Sequence, residues 1–172
     1  MMVRKSALAA IFLLALPVHS QVAKVQDSPR EFVQNFYNWY VTIAQKSNAS
    51  DLAIKRKGSF FSPELSQALL EDSAAQAKVS ELIVGIDWDP FLNSQDPEDH
   101  YLIGKVTKKG DRFFVCVHGV RSGQKRTEPD VIAELMKKDN SWLFVNFHNP
   151  GKGDLLSSLK NLRKARQKGA KP

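Results

Sequence analysis

The sequence predicts an α+β protein in which N-terminal helices pack on an antiparallel sheet of about four strands and a basic helix closes the chain. Between residues 28 and 77, apolar residues recur at helical spacing behind serine–proline starts. Between residues 101 and 147, runs of β-branched and aromatic residues alternate with polar turns. Helices that precede strands favour α+β over α/β, in which the two alternate.

The first helix is predicted over Glu31–Gln45. Ser28 or Asp27 can cap it, and Pro29 suits its first turn. A stripe of large apolar residues follows at helical spacing, made of Phe32, Phe36, Trp39, Tyr40 and Ile43. Such a stripe is typical of a helix face turned toward the core, and the alternative is that some of its rings line a ligand cavity.

Two more helices are predicted before the sheet. A short one covers Asp51–Lys57, and another begins at Ser62-Pro63 and continues to about Ala77. The stretch Glu81–Trp88 is apolar enough for a strand or a further helical turn, and its pattern does not decide between them.

Four strands are predicted in the second half of the chain. They are Tyr101–Thr107, Arg112–Val120, Val131–Lys137 and Ser141–Phe147. Residues 108–111 and 138–140 have turn chemistry, and residues 121–130 form a longer polar loop. Connections this short between successive strands indicate an antiparallel meander.

Residues 1–20 have the layout of a secretory signal peptide. A positive start at Arg4 and Lys5 precedes the apolar run Ala7–Leu16, and Val18-His19-Ser20 supplies a cleavage site. The run is shorter than the about 20 residues that span a bilayer, although an uncleaved membrane anchor is the alternative. No cysteine follows at a lipid-attachment position. We therefore expect a mature protein, residues 21–172, that is periplasmic or secreted.

The positive charge is concentrated at the end of the chain. The formal net charge is +7, and most of it comes from the signal peptide and from residues 151–172, where seven basic residues accompany Asp154. We expect a single domain over residues 21–150. Asp154 caps a basic, leucine-faced helix, and the stretch from Arg163 onward is expected to fray. The nearly neutral domain argues against a nucleic-acid-binding face, so we expect no nucleic-acid partner.

The basic end of the chain allows two interpretations. A helix with a leucine face and a cationic face can make weak contact with an anionic membrane surface. The alternative is a solvated face on a docked helix, followed by a soluble tail.

No residue spacing in the chain predicts a metal site or a cofactor. Cys116 is the single cysteine, so an intramolecular disulfide is excluded, and its place in a predicted strand favours a small apolar role over a nucleophilic one. The histidines lack metal-ligand spacing, and no phosphate-binding glycine loop is present. His118 can face a cavity together with Asp96, but no motif marks such a pair.

The segment Asp87–Asp96 is the most distinctive internal stretch. Its polar side chains surround a Pro-Phe-Leu core, which fits a structural loop with Asp and Asn side chains bound to the backbone. A second interpretation is a binding mouth in which Trp88 and Asp96 face a ligand or partner. A Ca²⁺ site is the third, although the EF-hand spacing is absent.

Three segments together resemble the bacterial domain-of-unknown-function family 3828. They are Phe32–Tyr40, Phe61–Leu65 and Asp89–Asp96, and the last strand, Ser141–Val145, is similar to that family's closing element. The resemblance covers about residues 28–148. It implies an exported bacterial protein with a cone-like fold similar to nuclear transport factor 2, in which helices cover a curved sheet and leave a pocket. It assigns no activity, since that scaffold serves enzymes, binders and inhibitors alike.

The sequence therefore favours a non-enzymatic periplasmic binding protein that holds a small ligand or an envelope protein, with an inhibitor or immunity factor as a special case. The candidate binding residues are Trp39, Trp88, Asp89, Phe91, Asp96 and His118. The alternative is a cone-fold isomerase or hydrolase that uses Asp96 and His118. These hypotheses differ in whether titratable groups meet inside a pocket.

Overall fold

The computed structural model describes residues 28–79 and 82–169. It has an α+β fold, as the sequence predicts: three helices come first, an antiparallel sheet follows, and a last helix closes the described part. The helices are α1 (Pro29–Tyr40), α2 (Ala49–Lys57), α3 (Pro63–Gln76) and α4 (Leu155–Gly169). The predicted signal peptide, residues 1–20, lies outside the described residues.

Side-chain caps set the helix starts where the sequence predicts them. The Ser28 hydroxyl accepts a hydrogen bond from the Glu31 N–H at 3.2 Å, and the Ser62 hydroxyl accepts one from the Leu65 N–H at 3.2 Å. Asp154 accepts from the Ser157 N–H at 2.9 Å. Proline occupies the first turn of both α1 and α3, where its missing N–H has no helical partner.

Helix α1 ends five residues before its predicted end. After Tyr40 the chain continues in tight turns, with i→i−3 bonds from Thr42 N–H to Trp39 C=O at 3.1 Å and from Ile43 N–H to Tyr40 C=O at 2.9 Å. The Thr42 hydroxyl also donates to the Trp39 carbonyl at 2.7 Å. Ile43 is still buried. Its helical spacing therefore predicted its burial correctly, although the backbone at this position is not helical.

The sheet contains the four predicted strands and two short ones that the sequence did not predict. The strands are β1 (His100–Lys109), β2 (Arg112–Arg121), β3 (Gln124–Lys125), β4 (Val131–Lys138), β5 (Ser141–Asn149) and β6 (Gly153–Asp154). The four long strands form the antiparallel meander β1-β2-β4-β5. The expected four-stranded sheet is thus a six-stranded one, because β3 adds to β2 and β6 adds to β5. Two residues carry no readable alternation, which is why β3 and β6 escape a pattern-based prediction.

The aromatic stripe of α1 lies in the core, as expected. Phe36 is 1% exposed and contacts Phe144 of β5 at a ring-centroid distance of 4.8 Å, and Phe32 contacts the same ring at 4.9 Å. Alternation along the strands turns buried residues toward the helices, among them Val115 and Val117 of β2. The helices therefore cover one face of the sheet.

Two α1 side chains occupy the free edge of β1, which is the outer long strand. Arg30 donates to the carbonyls of Ile103 at 2.6 Å and Gly104 at 2.5 Å. The Gln34 amide donates to the Tyr101 carbonyl at 2.9 Å and accepts from the Ile103 N–H at 3.3 Å. Unpaired edge groups invite pairing with another chain, and these bonds remove that opportunity.

Helix α4 packs onto the body of the protein instead of fraying. Leu155 and Leu159 are buried, and Arg163 pairs with Glu71 of α3 at 3.1 Å. The expectation of a frayed stretch from Arg163 onward is therefore wrong as far as Gly169, because ion pairs to α3 hold it. Among residues 28–79 and 82–169, no helix has the length and hydropathy needed to cross a membrane.

The edge bonds predict the behaviour of Arg30→Ala/Gln34→Ala. The variant loses four hydrogen bonds, and we expect the free energy of unfolding in urea to fall by roughly 1–3 kcal/mol. Self-association, followed by light scattering at rising protein concentration, should increase because the edge of β1 is open. Asn35→Ala, on an exposed position of the same helix, is the control. Unchanged stability and unchanged scattering in the double variant would contradict this role.

Candidate functional site

The chain between α3 and β1 is unusually long for a connection in a compact fold. It occupies residues 77–99, and we call its described part, residues 82–99, the α3–β1 loop. Connections of this length without regular structure are uncommon and are frequently functional. The undecided stretch Glu81–Trp88 is neither helix nor strand where the structure describes it. The loop also contains four of the six candidate binding residues.

Asp89 organises the middle of the α3–β1 loop. One carboxylate oxygen accepts from the N–H groups of Phe91 at 2.9 Å and Leu92 at 3.1 Å. The other accepts from the Tyr40 hydroxyl of α1 at 2.5 Å. The Asp89 backbone pairs with Ser94 through an N–H to C=O bond of 2.9 Å, which closes the turn. The carboxylate thus joins the loop to the first helix.

Burial changes the acidity of this pair. Removal of the Asp89 carboxylate from water raises its pKa to about 6, while the hydrogen bonds from Tyr40, Phe91 and Leu92 work in the opposite direction. Burial and the neighbouring Asp89 charge raise the pKa of Tyr40 far above its ordinary value, so the hydroxyl keeps its proton and remains a donor. Near neutral pH, Asp89 is a buried carboxylate whose oxygens accept three hydrogen bonds.

Phe91 and Leu92 fix the loop in the core. Phe91 is 0% exposed, and its ring lies 5.0 Å from Phe147 and 5.2 Å from Tyr40, centroid to centroid. The Tyr37 hydroxyl donates to the Phe91 carbonyl at 2.6 Å. Because the Phe91 side chain is fully enclosed, its contribution to any binding surface is to hold the loop in shape.

A cleft of about 510 Å³ opens beside the loop. The loop residues Trp88 and Asp89 form part of its wall, and the start of α2 at residues 48–51 and part of α3 form other parts. Trp88 is partly exposed, but its indole N–H is buried and has no hydrogen-bond partner among residues 28–79 and 82–169. A buried donor without a partner is costly, and here it is the rest of the indole that forms part of the cleft wall.

The other predicted site residues lie outside this cleft. Asp96 is exposed, and its backbone N–H and C=O both bond to the Ser94 hydroxyl, at 3.1 and 2.8 Å. Trp39 is partly exposed on α1, and its ring lies 5.5 Å from the Lys57 ammonium. The structure therefore brings together Trp88 and Asp89, and it places Asp96 and Trp39 elsewhere.

His118 lies on the face of the sheet that the helices leave uncovered. Its Nδ1 is 3.1 Å from the carbonyl oxygen of Arg126, and its Nε2 approaches Gly104 so closely that a Cβ there would lie 2.4 Å away. Only glycine fits beneath this ring. Within residues 28–79 and 82–169, no hydrogen bond or ion pair joins His118 to Asp96. On the same face, burial raises the pKa of the Cys116 thiol, which disfavours the thiolate.

Three side chains from outside the loop hold its first half, and no sequence motif marks them. Asp72, buried on α3, accepts from the Ile86 N–H at 2.8 Å and from Arg166 at 2.5 Å. Arg166 also donates to the Val84 carbonyl at 2.7 Å. The third is Gln76, at the end of α3. No local pattern links residues 72, 76 and 166, so sequence periodicity does not predict these contacts.

A buried carboxylate fixes the end of the loop where β1 begins. Glu98 is 6% exposed and receives Arg121 at 2.5 Å and Arg126 at 2.6 Å. The Glu98 N–H donates to the Tyr101 hydroxyl at 3.2 Å. In the part of the chain that the structure describes, no group of three or more histidine, cysteine or acidic side chains is arranged to hold a metal ion.

Comparisons with known proteins identify a fold but no family. No family model matches the sequence, and no curated protein matches it. The structure is similar to a chain in a crystal structure of the type VI native effector–immunity complex Tae3–Tai3 from Ralstonia pickettii. The TM-score is 0.50 at 19% sequence identity, and the alignment covers 74% of this chain and 98% of that chain. This likeness shows the fold alone.

The raised pKa of Asp89 predicts a pH dependence of stability. Between about pH 4 and 6, Asp89 holds a proton in the folded state, whereas the unfolded aspartate is already ionised. The bound proton stabilises the fold at the low end of this range, and that stabilisation is lost as the pH rises through 6. In Asp89→Asn that contribution disappears. The free energy of unfolding is measured in urea from pH 4 to 7.5. Its decrease over this range should be smaller in Asp89→Asn than in the wild type, and the difference between the two decreases should be on the order of 2–3 kcal/mol.

Tyr40→Phe is the matched variant for this experiment. It removes a hydrogen bond that lowers the pKa of Asp89, so the pH window of the wild-type loss should move upward. Identical pH slopes in the wild type and Asp89→Asn would show that Asp89 does not titrate in this window.

Proposed function

We propose that this chain is an exported, non-enzymatic binding protein that neutralises a protein effector in the cell envelope, as the immunity member of an effector–immunity pair. The main support for this proposal is the similarity to a chain of the Tae3–Tai3 complex. Nearly the whole length of that chain aligns, so the likeness extends over its complete fold. Fold alone does not determine function, so the proposal also rests on the features below.

The predicted export signal supports the immunity role over the effector role. The layout of residues 1–20 is that of a signal peptide, and a protein that protects the envelope from within needs its own route of export. We infer a periplasmic location on this basis. The Cys116 thiol, whose pKa is raised by burial, has the opposite character to an activated nucleophile.

Two carboxylates of the loop and one of α3 support binding over catalysis. Asp89, Asp72 and Glu98 are each engaged by hydrogen bonds that hold the chain in place. A general acid or base must reach the substrate proton instead. We also retain the proposed membership of family 3828 and its cone-like sheet. The register shifts between Ile103 and Val106 and between Glu134 and Leu135 support curvature, since bulges bend strands.

Binding to purified effectors tests the proposal. The mature protein, residues 21–172, is titrated calorimetrically against a panel of type VI effector proteins that includes Tae3 and the candidate effectors of the genome that encodes this chain. We expect one effector to bind with a Kd in the nanomolar range. A bacterial strain that exports this effector should survive when it carries the full-length chain. Deletion of residues 1–20 should abolish protection, because the protein then stays in the wrong compartment. A chain that binds no panel effector would contradict the proposal.

A small-ligand function is the second candidate, and the Trp88 cleft favours it. Trp88 lines the cleft, and the cleft volume of about 510 Å³ lies in the range of ligand pockets. Thermal-shift screening of the wild type and Trp88→Phe tests this function, since phenylalanine keeps an aromatic ring but removes part of the indole surface from the cleft wall. A ligand that raises the Tm of the wild type and not of Trp88→Phe would support it.

A further inference from the structure

The α3–β1 loop exposes two large apolar side chains at its described start. Leu82 is 67% exposed and Ile83 is 72% exposed, the highest values among the large apolar residues that the structure describes. We call these two residues the apolar tip. Two neighbouring apolar side chains that extend so far into solvent on a loop indicate a contact surface more than a packing requirement.

The amide of Gln76 fixes the backbone of the apolar tip from behind. Its Nε2 donates to the Leu82 carbonyl at 2.9 Å. Its Oε1 accepts from the N–H groups of Val84 at 2.9 Å and Gly85 at 3.0 Å. One side chain therefore satisfies three backbone groups on both sides of Ile83. These bonds hold the tip in one conformation although its own side chains contact solvent.

A second set of bonds fixes the chain immediately after the tip. Arg166 of α4 joins the Val84 carbonyl to Asp72, and Asp72 accepts from the Ile86 N–H. Gly85 permits this close approach, since a Cβ there would lie 2.8 Å from the Asp72 carboxylate. Helices α3 and α4 thus support the same short segment. Holding a loop in its bound shape lowers the entropy cost of association, which is how a rigid inhibitory loop gains affinity.

The charges around the apolar tip favour an acidic partner surface. Lys78 lies just beyond α3 and is exposed, and Lys168 is exposed in the last turn of α4, the turn that contains Arg166. Helix α4 contains five basic residues and no acidic residue between Leu155 and Gly169. These basic residues outnumber the two acids that flank the tip in sequence, Glu81 and Asp87. A partner with carboxylates around an apolar crevice would complement this arrangement.

A protein partner fits these observations better than a lipid surface. Membrane binding takes a broad apolar helix face or several anchoring residues, and two side chains bury little area in a bilayer. A defined, supported tip of two residues matches instead the anchor residues that fill a pocket at the centre of a protein interface.

We propose that Leu82 and Ile83 insert into an apolar crevice, bordered by carboxylates, on the effector that this chain neutralises. This inference rests on the proposed immunity function and names the surface that carries it out. Gln76 and Arg166 act as positioning residues, because they hold the tip and do not themselves enter the crevice.

Replacement of the tip tests the inference with the panel effector that the wild type binds most tightly. Leu82→Ser/Ile83→Ser should raise the Kd by more than 30-fold, because two central apolar anchors are lost. The control, Leu102→Ser, changes a leucine that is 41% exposed on β1, on the uncovered face of the sheet, and should stay within threefold of the wild type. The Tm of both variants should stay near that of the wild type, since the changed side chains are exposed.

The outcomes separate the inference from the function on which it rests. If the wild type binds an effector and the double variant binds it within threefold, the tip is not the contact and the inference is wrong. If the wild type binds no panel effector, the proposed function fails and the inference falls with it. Sedimentation at 100 µM and co-sedimentation with phosphatidylglycerol–phosphatidylethanolamine vesicles test other occupants. A wild-type dimer or vesicle complex that the double variant loses would overturn the assignment to an effector.

Gln76 provides an independent test of positioning. Gln76→Ala should weaken effector binding by about fivefold to tenfold and speed amide hydrogen exchange at Val84 and Gly85. Gln76→Glu keeps an acceptor for these two N–H groups but loses the donor to the Leu82 carbonyl, so it should restore much of their exchange protection. Equal affinity in Gln76→Ala and the wild type would contradict a role in holding the tip.

Discussion

The fold of the loop depends on one buried carboxylate. Asp89 receives the Tyr40 hydroxyl from the first helix and the N–H groups of Phe91 and Leu92 from its own loop. Burying a carboxylate is costly, and these three bonds offset the cost only while the helix and the loop stay together. The same turn places Phe91 among the aromatic rings of the core. Loss of this arrangement would free the loop and open the core.

The surface features follow outward from this attachment. With its middle fixed at Asp89, the loop presents Trp88 to the cleft, and side chains of α3 and α4 support the stretch before it. Ordering so long an irregular connection costs conformational entropy that a short turn would avoid. Hydrogen bonds from polar side chains of three helices, α1, α3 and α4, offset that cost. A rigid binding surface requires a solvent-facing loop that is ordered in this way by side chains from the body of the protein.

Local chemistry made much of the fold predictable from sequence. The serine caps at Ser28 and Ser62, each followed by proline, start two helices where predicted, because capping depends on residues within one turn. The four long strands followed from runs of β-branched and aromatic residues between turn residues. The end of α1 was misplaced because Ile43 is buried in a turn at helical spacing, and the support for the end of α4 was missed because it depends on ion pairs with α3.

The site was predictable only in part. The polar residues around Pro90 indicated that Asp89 binds backbone groups, and the structure places Trp88 beside it at the cleft. Asp96 and His118 were paired only as candidates for acid–base chemistry, and His118 instead packs against Gly104. The roles of Asp72, Gln76 and Arg166 come from contacts between distant parts of the chain. A single sequence contains no periodic signal for such contacts.

The most direct test of the account is amide hydrogen exchange, measured by mass spectrometry, on the mature protein alone and saturated with the effector that it binds. We expect the added protection to be concentrated in residues 82–92 and in the last turn of α4. Protection confined to the uncovered sheet face, at β1, β2 and β4, would place the partner on the opposite side of the molecule and contradict the account.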